Sequence, residues 1–351
     1  MLSKRFIVVC LCIFALSLMY TSHIKIPVAF AEEAYSFVTK WGALGNYDGM
    51  LYVPTSIAVD SSGNVYVTDT NNNRIEKFTG DGKFLAKWGT YGNAEGQFNL
   101  PTSIVIDKQG NVYVSDQSNS RIEEFGSTGT YIKEFDLASY YPTRIALDSE
   151  NNMYFVDPTK NIVAKFASNG QAIAKFGTLG SDDGQFDSPT GIAVDSFDNV
   201  YVADSGNNRI EKFTGDGKFL AKWGTYGTGN GQFNAPQGIA IDSMDNVYVT
   251  DTQNGRIEKF TNAGQFITQF GSHGTGDGKF DSPSGIAVDS LGNVYVTDAS
   301  YDNPNIQKFT VSNSTTNSVK STVPEFGGIT VLALTIATMV LVVFTRIRIL
   351  K

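Results

Sequence analysis

Three features of the sequence predict an all-β fold closed into a ring. A motif recurs at a nearly fixed spacing, the apolar runs are short and rich in Val, Ile, Tyr and Phe, and glycine is abundant. The 19 residues RIEKFTGDGKFLAKWGTYG at 74–92 return letter for letter at 209–227. The chain has 351 residues, 35 of them Gly, and is 41% hydrophobic, enough for a sizeable core. Aligned on Pro54, Pro101, Pro142, Pro189, Pro236 and Pro283, the units are spaced 47, 41, 47, 47 and 47 residues apart.

Each unit reads the same way. SIAVD (56–60), VYVTD (65–69), RIEKF (74–78) and FLAKW (84–88) are too short for helices and are read as four strands. The first run is apolar on both faces, as in sheets that pack face to face around an axis. The turn after it holds Gly63, Gly110, Asn151, Asp198, Asp245 or Gly292, residues that tolerate positive φ. TGDGK (79–83) reads as a hairpin turn between the last two strands. The sixth unit lacks its fourth strand, and FVTKWG (37–42) near the other end matches FLAKWG (84–89). A six-bladed β-propeller over 35–310 follows, with blades starting near the six prolines. Strand 37–42 completes the last blade and hides its edge.

The run FGTLGSDDGQFDSPTGIAVDSFDNVYVADSGNNRIEKF at 176–213 resembles the NHL repeat, and the resemblance covers about 35–310, six times over. It implies a six-bladed propeller and no single function. Such propellers include RNA binders, protein-binding platforms, receptor sensor domains and a metal-dependent amidating lyase.

The ends read differently. Lys4 and Arg5 precede an apolar run and an Ala29-x-Ala31 site, the order of a secretory signal peptide over 1–31; an uncleaved anchor is the alternative. Cys10 and Cys12 both fall inside it, so the mature chain would hold no disulfide or thiolate site. Of two histidines only His273 remains, which excludes a multi-histidine zinc centre, and no metal or cofactor is assigned. A Ser/Thr-rich linker (311–323), with an acceptor pattern for glycosylation at Asn313, leads to an uncharged stretch from Gly327 to Phe344. Arg346, Arg348 and Lys351 follow, as at the cytoplasmic end of a transmembrane helix; a buried core helix is the alternative. Pro324, Glu325, Phe326 and Gly327 resemble the PEFG class of archaeal C-terminal sorting signals. That resemblance implies archaeosortase processing and a place at the cell surface.

The net charge of −8 hides a stronger imbalance. Without the basic residues of the two ends, 21 bases face 35 acids, a balance of −14 that opposes nucleic-acid binding. A protein, peptide or glycan partner is expected instead.

Asp69/Arg74, Asp116/Arg121, Asp204/Arg209 and Asp251/Arg256 recur in four units. They read as salt bridges locking the loop between strands two and three, because an active site is one place and architecture is many. Asymmetry is the better guide to function. The third unit is six residues short and has lost the Gly-x-x-Gly-x-x-x-Gly loop. It gains Tyr140, Tyr141 and Arg144, the last standing where other units carry Ser56, Ser103, Gly191, Gly238 and Gly285. The sixth unit has two extra residues, including Tyr301. One face of the ring is expected to gather Arg144, Tyr140, Tyr141, Tyr301, His273, Tyr91 and Tyr226 as a binding surface. The alternative is a set of solvated loop residues with Arg144 stacked on a tyrosine. A calcium-type propeller hydrolase or lyase is the competing functional class.

Overall fold

The computed structural model describes residues 33–312. The signal-peptide stretch, Asn313, the rest of the linker, the PEFG motif and the apolar C-terminal stretch lie outside the described residues. Among the described residues no helix is long and apolar enough to cross a membrane.

Six antiparallel sheets of four strands each form the ring. In the first blade the strands are Pro54–Val59, Val65–Asp69, Arg74–Phe78 and Phe84–Trp88, from the axis outward. The sixth blade takes Pro283–Val288, Val294–Asp298 and Asn305–Ser312 from one end of the propeller and Ala34–Trp41 from the other. In the closing pair Ala34 lies opposite Ser312 and Trp41 opposite Ile306. The last strand thus runs two residues into the stretch read as linker.

The core lies between blades, because every strand two is buried on both faces. Ala58, Tyr66 and Ile75 of blade one, for example, pack with Ile104, Val112, Val114 and Phe125 of blade two. Phe98, from the loop joining them, fills the same cluster. Five further clusters repeat the pattern around the ring. Sealing such interfaces, at about 25 cal/mol per Å² of apolar surface removed from water, is the main stabilising contribution.

Backbone conformation explains the small residues. Gly63, Gly110, Asn151, Asp198, Asp245 and Gly292 all have positive φ, between 61° and 88°. Gly82, in the outer turn of blade one, has φ +88°, and a Cβ there would lie 2.6 Å from the Trp41 ring. Glycine therefore lets the closing strand's tryptophan pack across the seam onto the next blade.

Candidate functional site

The repeated Asp/Arg pairs are the starting point for the face that carries the inter-blade loops. In blade one Arg74 Nε donates to Asp69 Oδ2 at 2.7 Å. Its Nη1 donates to Asn46 O at 2.6 Å, and Nη2 to Tyr47 O and Met50 O at 3.0 and 2.8 Å. Nη2 also lies 2.8 Å from Glu76 Oε1. One guanidinium thus ties the loop between strands two and three to the loop entering the blade. Arg121, Arg209 and Arg256 repeat the arrangement.

The glutamate in each cluster went unnoticed in the sequence reading. Glu76, Glu123, Glu211 and Glu258 are fully buried. Burial pushes each carboxyl up to about 7, against the pull of the adjacent arginine. The signal was present: Arg-x-Glu occurs in four units, becomes Ile162-x-Ala164 in the third and Asn305-x-Gln307 in the sixth. Arginine and glutamate leave together because a buried charge without its partner is costly. In the sixth blade Gln307 accepts from Gly278 N at 2.9 Å, the bond that Glu76 makes with Gly49 N at 3.1 Å.

The third blade leaves an opening where its loop is short. A cavity of 590 Å³ there is lined by Ser139, Tyr140, Lys160, Ile162, Lys175 and the 177–179 segment. Lys160 Nζ donates to Ser139 O at 2.9 Å and lies 4.2 Å from the Tyr140 ring centre. The lysines that correspond to Lys175 in other blades meet an aspartate of the loop entering their own blade: Lys40 with Asp277, Lys87 with Asp48, Lys222 with Asp183. The missing loop would have carried the partner of Lys175, which makes no salt bridge among the described residues.

The seven residues expected on one binding surface divide into three groups. Tyr91, Tyr226 and His273 occupy equivalent positions in three inter-blade loops, each bridging to a buried Phe seven residues on. Both tyrosines are exposed, at 72% and 70%. Leu44 and Leu179 hold the same position in two other loops and are exposed too, so a rim of five such side chains is broken only at blade three. Tyr301, also exposed, packs edge-on against Tyr52 at 6.3 Å across the ring seam. Tyr140 and Tyr141 are half-buried. Tyr140 packs against Phe155 and Phe166 at 5.3 and 6.1 Å, joining the core cluster between blades two and three.

Arg144 does not belong to that surface and stacks on no tyrosine among the described residues. It is 8% exposed and lines the central channel, a cavity of 340 Å³. Its Nη2 donates to Ser284 Oγ at 2.8 Å and its Nη1 to Thr102 O at 3.2 Å. Blades three and six are opposite members of the ring, so the side chain crosses the channel mouth. Burial alone pushes its pKa down to about 10, which leaves it charged at neutral pH. Among the described residues, no group of three or more His, Cys, Asp or Glu side chains is placed to hold a metal ion.

Comparison with known proteins agrees with this division. A model described as NHL repeat matches residues 51–78, 98–125, 186–213 and 233–260, and one described as Beta-propeller repeat matches 265–297. The four NHL matches fall on the four blades that carry the Asp–Arg–Glu cluster, rather than on all six as the sequence reading expected. The third blade is matched by neither. No curated protein matches the sequence. Solved structures do. A streptogramin B lyase is 17% identical over 79% of this chain and 98% of its own, with a TM-score of 0.54. A virginiamycin B lyase from Staphylococcus aureus is 18% identical over 79% of this chain and 100% of its own, at 0.55. A protein of unknown function from Bacteroides thetaiotaomicron is 19% identical over 80% and 77%, at 0.63. At these identities the likeness is one of fold. The chain is a six-bladed β-propeller that carries NHL repeats.

Proposed function

We propose that the chain is an exported, membrane- or envelope-anchored propeller that binds an acidic protein, peptide or glycan through its loop face. The observation that carries this reading is the opening in blade three. There a missing loop exposes a cleft with Lys160 and Lys175 on an otherwise acidic protein. Lys175 has no acid to neutralise it among the described residues, so an external carboxylate gains its attraction without first breaking a salt bridge. The rim of exposed Tyr91, Tyr226, Leu44, Leu179 and His273 adds apolar and aromatic area around the same face. The signal-peptide pattern, the apolar C-terminal stretch and the PEFG resemblance support export, anchoring and archaeosortase processing.

The test is retention of the full-length protein on isolated cell envelopes. Wild-type retention is expected to weaken steeply with salt. A Lys160→Glu/Lys175→Glu double variant is expected to bind at least about 10-fold more weakly. Unchanged retention of a folded double variant removes the cleft from the reading. The second reading, a metal-dependent lyase or hydrolase, draws its support from the lyases among the structural neighbours. A stoichiometric, tightly held divalent metal in the purified protein would move the assignment to it.

A further inference from the structure

We propose that the central channel is a separate binding site for a monocarboxylate with an apolar body, its carboxylate paired with Arg144 at the loop-face end. This site is independent of the blade-three cleft.

The fold does not call for an arginine here. At the same position Ser56 and Ser103 use their hydroxyls to accept the N–H of Ile104 and Ile145 in the next blade. Three other blades use glycine, and a Cβ at Gly191 would lie 1.8 Å from Gln237 O. Ring closure is thus served by Ser or Gly, and Arg144 adds a buried positive charge that no architectural bond requires. Ser284 Oγ and Thr102 O are neutral acceptors, so the charge is uncompensated among the described residues.

A guanidinium has five N–H donors. Two are used, by Thr102 O and Ser284 Oγ, which leaves three, including the Nε edge. A planar fork of this kind matches a carboxylate through two parallel bonds. A single positive charge balances one negative charge. A dianion would leave its second charge buried without a partner, which selects against phosphate.

The rest of the cavity specifies the body of the ligand. Isoleucine, alanine and valine residues of the inner strands line the channel beyond Arg144, together with Ser56, Ser103 and three glycines. Val59, Ile106, Leu147, Val194 and Ile241 form a half-buried collar at the end away from the loop face. The ligand would enter there, carboxylate first.

The experiment is titration calorimetry of the full-length, amphipol-held protein with acetate, propionate, butyrate and pentanoate at constant ionic strength. Butanol and inorganic phosphate serve as controls. Affinity is expected to rise about fourfold per added methylene, the value of about 0.8 kcal/mol for each buried CH₂. Arg144→Ser, which installs the residue of blades one and two, should weaken pentanoate about 10- to 100-fold. Arg144→Lys keeps the charge without the fork and should lie between them, a check that stands even if the serine variant fails to fold. The proposal is overturned if the wild type binds no carboxylate saturably, if affinity ignores chain length, if phosphate outcompetes pentanoate, or if both variants match the wild type.

Discussion

Blades three and four are neighbours built on one plan, yet they solve the same problem with opposite chemistry. Blade four joins its loops through Arg209, which touches Asp204, Glu211 and three backbone carbonyls. Blade three puts Ile162 and Ala164 at those positions and fills the gap with Leu137 and Tyr140. Four of the five full-length entering loops are held by the charged cluster, and the sixth blade holds its own with Gln307 in place of the glutamate. Where the loop is short, the arginine, the glutamate and the aspartate that Lys175 would have met are absent, while Asp157 stays buried at the end of strand two. Lys175, left without its aspartate, marks where the surface is open to a partner.

The largest expected effect tests that dependence directly. Arg209→Ala takes the positive partner from two buried carboxyl groups and a donor from three carbonyls, and should cost about 3–5 kcal/mol in urea unfolding. Ile162→Ala, at the matching position, should cost about 1–2 kcal/mol. Equal losses would break the comparison.

The outer turns provide the next test. A Cβ at Gly217 (φ +87°) would meet the Phe176 ring at 2.5 Å, whereas one at Gly170 (φ +87°) would meet Phe135 at 3.2 Å. Gly217→Ala should therefore cost about 2–3 kcal/mol, the left-handed penalty plus a clash. Gly170→Ala should cost little beyond the penalty itself, about 1–2 kcal/mol. Thermal midpoints of the two variants measured side by side decide it.

The pH dependence is smaller and has a definite sign. The folded pKa of Glu211 is raised from 4.5 to about 7, so its ionised form is disfavoured by folding. The cost is full above pH 7 and absent below 4.5, and stability should rise as pH falls from 8 to 5. Each of the four buried glutamates contributes on the order of 1 kcal/mol to that rise. Glu211→Gln should reduce the slope while keeping the Gly184 N bond. At lower pH two sets of aspartates oppose each other: Asp60, Asp148 and Asp195 have lowered pKa values and lose their stabilising bonds when protonated, whereas burial raises Asp69, Asp116, Asp204, Asp251 and Asp298, whose protonation favours the fold. A variant slope equal to the wild type's would show that Glu211 titrates normally.

The smallest effect concerns the surface lysines. Lys222→Ala removes a 2.7 Å pair whose partners are 41% and 58% exposed, and should cost under about 0.5 kcal/mol. Lys175→Ala should leave stability unchanged and alter only binding. A clear loss of stability in Lys175→Ala would mean the lysine has a structural partner and would close the cleft as a candidate.

Repetition made the ring legible in the sequence. Proline spacing predicted six units, and residues tolerant of positive φ marked the same tight turn in each. The similarity of FVTKWG and FLAKWG predicted that the two ends of the propeller share a sheet, because backbone pairing is dictated by local pattern and by the need to cover an edge. The Asp/Arg pairs were read as loop locks for the same reason.

What the linear pattern did not determine was depth. RIEKF alternates like a surface strand, yet its glutamate is fully buried because the neighbouring blade and the entering loop both cover it. Tyr140 looked like a free loop aromatic and became a core plug. Arg144 looked like one member of a tyrosine-rich face and instead spans the channel to a residue 140 positions away. Burial, and the partner a charge meets, depend on which distant segments close over it. Only the closing of the ring brings those segments together.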